Sequence, residues 1–139
     1  MIEQQIVADL KADEGWRESA YQDHLGCWTI GYGFMIDERR KGRIPQKVAE
    51  YWLDYEIDRI VDRLYEALPW LPSAPDNIIR ALVNMAYQLG VSGLLRFRKT
   101  LGLIEAGKYE EAAQEALRSR WAEQTPHRAR RVADWIRQA

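Results

Sequence analysis

The sequence predicts an α+β chain, mainly helical, with a small antiparallel sheet lobe near the N-terminus and a helical C-terminal lobe joined by a long helix. Three observations carry that reading. Apolar residues recur at helical spacing over most of the chain. The period changes only between residues 17 and 36, where "SAYQDHLGCWTIGYG" gathers aromatics, Thr and Ile between glycines. A long apolar stripe then runs from Val48 to Leu68 and stops at "LPWLPSAPD", the one segment with three prolines.

Taken in order, Ile6, Val7 and Leu10 mark a first helix over 2–14, ended by Gly15. The glycine-punctuated segment forms a hairpin or three-strand sheet with "DHLG" as its first turn, too small to stand without a helix behind it. Pro45 suits the first position of the long helix, which at 1.5 Å per residue spans ~36 Å. Beyond the prolines, Ile78 to Leu89 marks a helix ended by Gly90, and a second runs from about Gly93 to Ala106. A third starts near Tyr109, and a last begins at Pro126 with Thr125 as its cap. The whole is expected to be one domain, 1–139. Its N-terminal lobe takes about 13–44, its bridging helix about 45–68, and its C-terminal lobe about 75–139 with helix 2–14 packed on it.

Composition narrows the function. The chain has 139 residues, 47% of them hydrophobic and 29% charged, enough to bury about two thirds of the surface of the unfolded chain. Its longest apolar runs fall short of the ~20 residues of a membrane span. The opening "MIEQQIVADLKADEG" lacks the basic start and apolar centre of a signal peptide, so standard secretory export is not expected. The single Cys27 excludes an intramolecular disulfide, and with His24 and His127 far apart no metal-ligand spacing exists. No cofactor is implied, and catalysis has to come from carboxylates, hydroxyls or arginines. Charge is uneven along the chain. Residues 1–80 hold 10 Lys/Arg against 15 Asp/Glu, a net of −5, and residues 81–139 hold 10 against 6, a net of +4. A basic C-terminal half favours an anionic polymer, although differently solvated faces explain the asymmetry as well.

Two carboxyl groups flank the irregular segment. Glu14 ends the first helix, where the helix dipole disfavours a negative charge, a setting suited to a general acid. Asp23 lies in a polar turn nine residues later, suited to an ionised base, and Thr29 stands across the turn, able to position a water. Singly, each residue has an ordinary alternative: a solvated helix end, a turn cap, a strand-forming Thr.

The ordered set is more specific. Glu14-Gly15-x-Arg17, Tyr21-x-Asp23 and Gly26-x-x-Thr29-Ile30-Gly31-x-Gly33 closely resemble the N-terminal signature of the bacteriophage-type lysozymes, glycoside hydrolase family 24. "LVNMAYQLG" (82–90) and "SRWAEQTPHRARRV" (119–132) are similar to the family's C-terminal motifs, while 36–75 agrees only in pattern. The resemblance implies a lysozyme-like fold. It also implies a muramidase cleaving the β-1,4 bond between N-acetylmuramic acid and N-acetylglucosamine of peptidoglycan glycan strands with inversion. By carry-over, Glu14 is the acid, and Asp23 and Thr29 hold the attacking water. Met35, Tyr87, Thr100 and Glu115 match saccharide contacts, and Gln88, Gln124 and Arg128 match polar residues near the cleft. That cleft is expected between the small sheet and the helical lobe, with Arg128 placed to orient Glu14. Where the family often has histidine after Gly-x-Gly this chain has Phe34, which leaves Glu56, the match to its acidic partner, as a free surface residue.

The implied enzyme is a monomer without a membrane span or a nucleic-acid partner, held in the bacterial cytoplasm until it reaches the wall. Three other readings stay open. One is a chitin- or chitosan-type hydrolase on the same fold, and one is a glycan-binding relative without activity. In the third, "HRARR" makes the chain a nucleic-acid binder.

Overall fold

The computed structural model describes residues 2–37 and 45–139. The predicted α+β class holds: eight α-helices and one three-strand antiparallel sheet among the described residues. Two compact units divide the chain, Glu3–Asp58 and Met1–Ile2 with Arg59–Ala139, called here the sheet unit and the helical unit.

In the sheet unit, α1 (Ile2–Glu14) buries Ile6 and Leu10 and ends where Gly15 N–H donates to the Lys11 carbonyl at 3.0 Å. Gly15 has φ +66°, a left-handed value that glycine adopts at little cost and that turns the chain out of the helix. Strands β1 (Arg17–Gln22), β2 (Trp28–Gly31) and β3 (Phe34–Asp37) follow in the order β1-β2-β3. Tyr21 pairs with Thr29, and Thr29 with Met35, so the threonine sits mid-sheet. The expected boundary of the N-terminal lobe at 44 lies outside the described residues.

The long helix α2 runs Gln46–Ala67. Pro45 stands one position earlier than expected, outside the helix, with its carbonyl accepting the Ala49 N–H at 3.0 Å. Ala49, Leu53 and Ile57 are buried on one stripe of α2, and Lys11 pairs with Glu50 at 3.2 Å. From Glu3 onwards, α1 falls in the same unit as the sheet and the first half of α2, and the Lys11–Glu50 pair joins the two helices.

A 3-10 turn at Leu71–Ser73 spans the proline-rich break. The helical unit continues with α3 (Asp76–Leu89), α4 (Val91–Leu95), α5 (Arg98–Glu105), α6 (Tyr109–Leu117), α7 (Arg120–Gln124) and α8 (Pro126–Arg137). Its core places α8 against α3 and α6, with Leu82, Met85, Val132 and Ile136 wholly buried.

Three local expectations change here. The helix expected over 93–106 is two, α4 and α5, broken at Arg96 and Phe97. The break turns the Phe97 ring edge-on to Trp121, centroids 6.1 Å apart, a tertiary contact that local spacing does not encode. Helix α7 was unforeseen. Its cap is Ser119, whose hydroxyl accepts from Ala122 N–H at 3.2 Å and donates to the Ala116 carbonyl at 2.6 Å. Thr125 does precede α8, yet its hydroxyl donates backwards to the Trp121 carbonyl at 2.9 Å instead of capping the helix. No described helix is long and apolar enough to cross a membrane.

Candidate active site

Glu14, Asp23 and Thr29 all lie in the sheet unit, at the end of α1, in the β1–β2 turn and in β2. Asp23 opens the β1–β2 turn, and its Oδ1 accepts two backbone N–H groups, from Leu25 and from Cys27, both at 2.9 Å. The turn is closed on itself by Asp23 N–H to the Cys27 carbonyl at 2.9 Å. This is what an aspartate at a turn start does for its own backbone. It also immobilises the carboxylate and leaves Oδ2 for an outside partner, with no protein donor assigned to it among the described residues.

Thr29 sits in β2 at 3% exposure, and its hydroxyl donates to the Cys27 carbonyl at 3.1 Å. One residue therefore serves both groups through two successive peptide units: the Cys27 N–H donates to Asp23, and the Cys27 carbonyl accepts from Thr29. With its proton committed, the Thr29 oxygen keeps acceptor capacity for a water hydrogen.

Glu14 is half-buried at the last position of α1. Its carboxylate rests against the β2–β3 turn so closely that a Cβ on Gly33 would lie 2.8 Å from Glu14 Oε2. Gly33 also has φ +80°, which a side chain at that position would strain. The glycine that ends the Gly-x-Gly pair thus forms a wall of the carboxylate's seat.

Tyr21 was quoted in the sequence motif but given no role. It lies opposite Thr29 in the ladder, and the Arg17 guanidinium stands 4.8 Å from the centre of its ring. Burial raises its phenol above the ordinary 10.0. The negative charges of Glu14 and Asp23 push it further in the same direction, against Arg17. Tyr21 is thus a neutral hydroxyl sensing both carboxylates. The signal was present in the sequence: a turn at 23–26 makes 21 and 29 cross-strand partners.

Phe34, where the family often has histidine, is buried and stacks on Trp52 with ring centroids 4.4 Å apart and planes at 13°. Glu56 is not the free surface residue expected, because it accepts a hydrogen bond from Trp52 Nε1 at 3.3 Å. An aromatic stack anchored by one carboxylate occupies this place.

The remaining candidates are distributed over both units. Met35 lies on β3 with its side chain exposed, next to Thr29 in the ladder. Thr100, Glu115 and Gln124 line one cleft of about 560 Å³ in the helical unit, with Phe97 and Trp121 as its apolar wall. Gln88 is attached to that wall, accepting from Trp121 Nε1 at 2.8 Å. Arg128 is bonded to the buried Asn84, through Nε to Oδ1 at 2.8 Å and through a terminal nitrogen to the carbonyl at 3.3 Å. Tyr87 is half-buried near the end of α3. Among the described residues no group of three or more His, Cys, Asp or Glu is arranged to hold a metal ion.

Comparison with known proteins points to one family. The phage lysozyme family model matches residues 11–133. Probable T4-type lysozyme 1 of Dictyostelium discoideum is 31% identical, the match covering 91% of this chain and 90% of the relative. Probable T4-type lysozyme 2 of the same organism is 30% identical, with 88% of each chain covered. The peptidoglycan hydrolase gp36 of Pseudomonas phage phiKMV is 29% identical over 87% of this chain and 14% of its own length.

Proposed function

The chain belongs to the phage lysozyme family and is a glycosidase of the peptidoglycan-hydrolase class; from that premise we propose that it cleaves the β-1,4 bond between N-acetylmuramic acid and N-acetylglucosamine with inversion, and that this lyses bacteria. The Glu14 carboxyl donates its proton to the glycosidic oxygen as the C1–O bond breaks. A water held between Asp23 Oδ2 and the Thr29 hydroxyl attacks C1 from the opposite face, and Asp23 takes the water's proton. Net, one water is consumed and a reducing end is released, with the anomeric configuration inverted.

The observation that supports this reading is that one residue, Cys27, holds Asp23 by its N–H and Thr29 by its carbonyl. A water needs two oriented acceptors to be aimed at a carbon, and this arrangement supplies them without moving parts. Met35, Tyr87, Gln88, Thr100, Glu115, Gln124 and Arg128 serve as the sugar contacts in this proposal. The enzyme then acts as a monomer that reaches the wall from the bacterial cytoplasm, and external addition to outer-membrane-permeabilised cells should clear their suspension. The mechanistic claim is tested by proton NMR of a fresh digest of purified peptidoglycan. The α-anomer of the new reducing end should appear first and mutarotate, and a first-formed β-anomer would refute inversion.

A further inference from the structure

The helical-unit cleft carries far more positive charge than a neutral sugar requires. Arg96, Arg98, Lys99, Arg118 and Arg120 line it against a single acid, Glu115, five positive charges to one negative. Lys99 and Arg118 share that acid, at 3.4 and 3.7 Å from its Oε2. Among the described residues Arg96, Arg98 and Arg120 have no acidic partner. Half of the ten Lys/Arg of residues 81–139 therefore face one cleft.

Two further features converge on it. The first turn of α5 forms part of its lining, and the N-cap residue, Phe97, supplies no side-chain acceptor, so the first-turn N–H groups and the positive end of an eight-residue helix are open to an external anion. Thr100, in that same turn, is only 2% exposed and lines the cleft, and its hydroxyl has no hydrogen-bond partner among the described residues. A hydroxyl at the cleft wall without a protein partner is available to a ligand oxygen.

We propose that this cleft, beside its sugar contacts at Thr100, Glu115 and Gln124, binds phosphate groups of an anionic cell-wall polymer, a chain of repeating phosphodiesters, with one phosphate at the first turn of α5 between Arg98 and Arg120. The proposal rests on the wall-directed reading above only for where such a polymer is met. Guanidinium forks and helix N–H groups both fit phosphate oxygens. Three guanidiniums without acids match a ligand that carries several charges, which a single peptide carboxylate does not.

The test is calorimetric titration of the whole protein with purified poly(glycerol phosphate), at about 0.05 M and about 0.5 M salt. Binding is expected at low salt, weakened at least ~10-fold at high salt. The Arg98→Gln/Arg120→Gln variant should lose about tenfold in affinity, and Arg98→Lys/Arg120→Lys should recover part of it. Amide NMR of the intact protein gives a readout independent of any variant, with saturable shifts expected at Arg98, Lys99 and Thr100. Absence of binding at low salt overturns the proposal. So do unchanged affinity in a folded glutamine variant, shifts that spare α5, or a phosphate-free muropeptide that binds as tightly as the polymer. Glu14→Gln should bind the polymer like the unaltered protein, and hydrolysis of phosphate-free peptidoglycan is measured separately, so failure of the binding claim and failure of the hydrolase reading are told apart.

Discussion

The two candidate regions are built in opposite ways. In the sheet unit every catalytic candidate comes from residues 14–29, and the groups are set by backbone: two N–H bonds on Asp23, one carbonyl under Thr29, and a glycine wall against Glu14. In the helical unit the binding candidates are set by side chains from distant positions, Trp121 on Gln88 across 33 residues and Arg128 on Asn84 across 44. Backbone-built sites tolerate few substitutions and need little surrounding core. Sites built by side chains inherit their precision from helix packing. The contrast therefore predicts that variants in the sheet unit reduce activity more than stability, and variants in the helical core do the reverse.

The largest stability effect is expected from Leu82→Ala in α3. That side chain is fully buried, and its truncation should cost about 2–5 kcal/mol in urea unfolding while the folded fraction keeps its specific activity. A parallel loss of specific activity at low temperature would break the contrast. Gly33→Ala comes next. The new Cβ forces the Glu14 carboxylate aside and strains a φ of +80°, for an expected cost of about 1–3 kcal/mol. Turnover of purified peptidoglycan should drop roughly 100-fold, as misplacement by about an ångström does. Retained turnover would show that the carboxylate's seat is not set by that turn.

The smallest effect is a matter of pH. The Tyr21 phenol is raised above 10.0 by burial first and by Glu14 next, so the folded chain keeps a proton that the unfolded chain has already lost. The stabilisation this gives is present in full below the ordinary tyrosine value and disappears as pH rises through the folded value. Tyr21→Phe should leave the unfolding temperature unchanged in its pH slope below about pH 9 and flatten the decline above about pH 10. An unaltered alkaline slope would contradict a raised Tyr21 phenol.

The same contrast explains what the sequence disclosed. Asp23, Gly26 and Thr29 act within a few residues of one another, so their spacing is the geometry, and the three-strand sheet follows from it. The Gly-x-Gly pair was visible, but that Gly33 abuts Glu14 is a contact between a helix end and a turn, which spacing does not reveal. The long stripes of α2 and α3 were legible because burial there obeys a single period. The break at Phe97 was not, because its cause is Trp121, more than twenty residues away. Thr125 misled for a related reason: its residue type fits a cap, but its hydroxyl had a nearer acceptor in the preceding turn. Glu56 was misjudged because its partner, Trp52, is fixed by stacking on Phe34 from a different element.

The claim on which the whole account depends is that Glu14 supplies the proton to the leaving oxygen. It is tested most directly by the turnover of purified peptidoglycan by Glu14→Gln, measured beside its unfolding temperature. A loss of about 10²- to 10⁴-fold with the fold intact is expected, because an amide has the shape of the acid without its proton. Near-native turnover by the folded variant would contradict it.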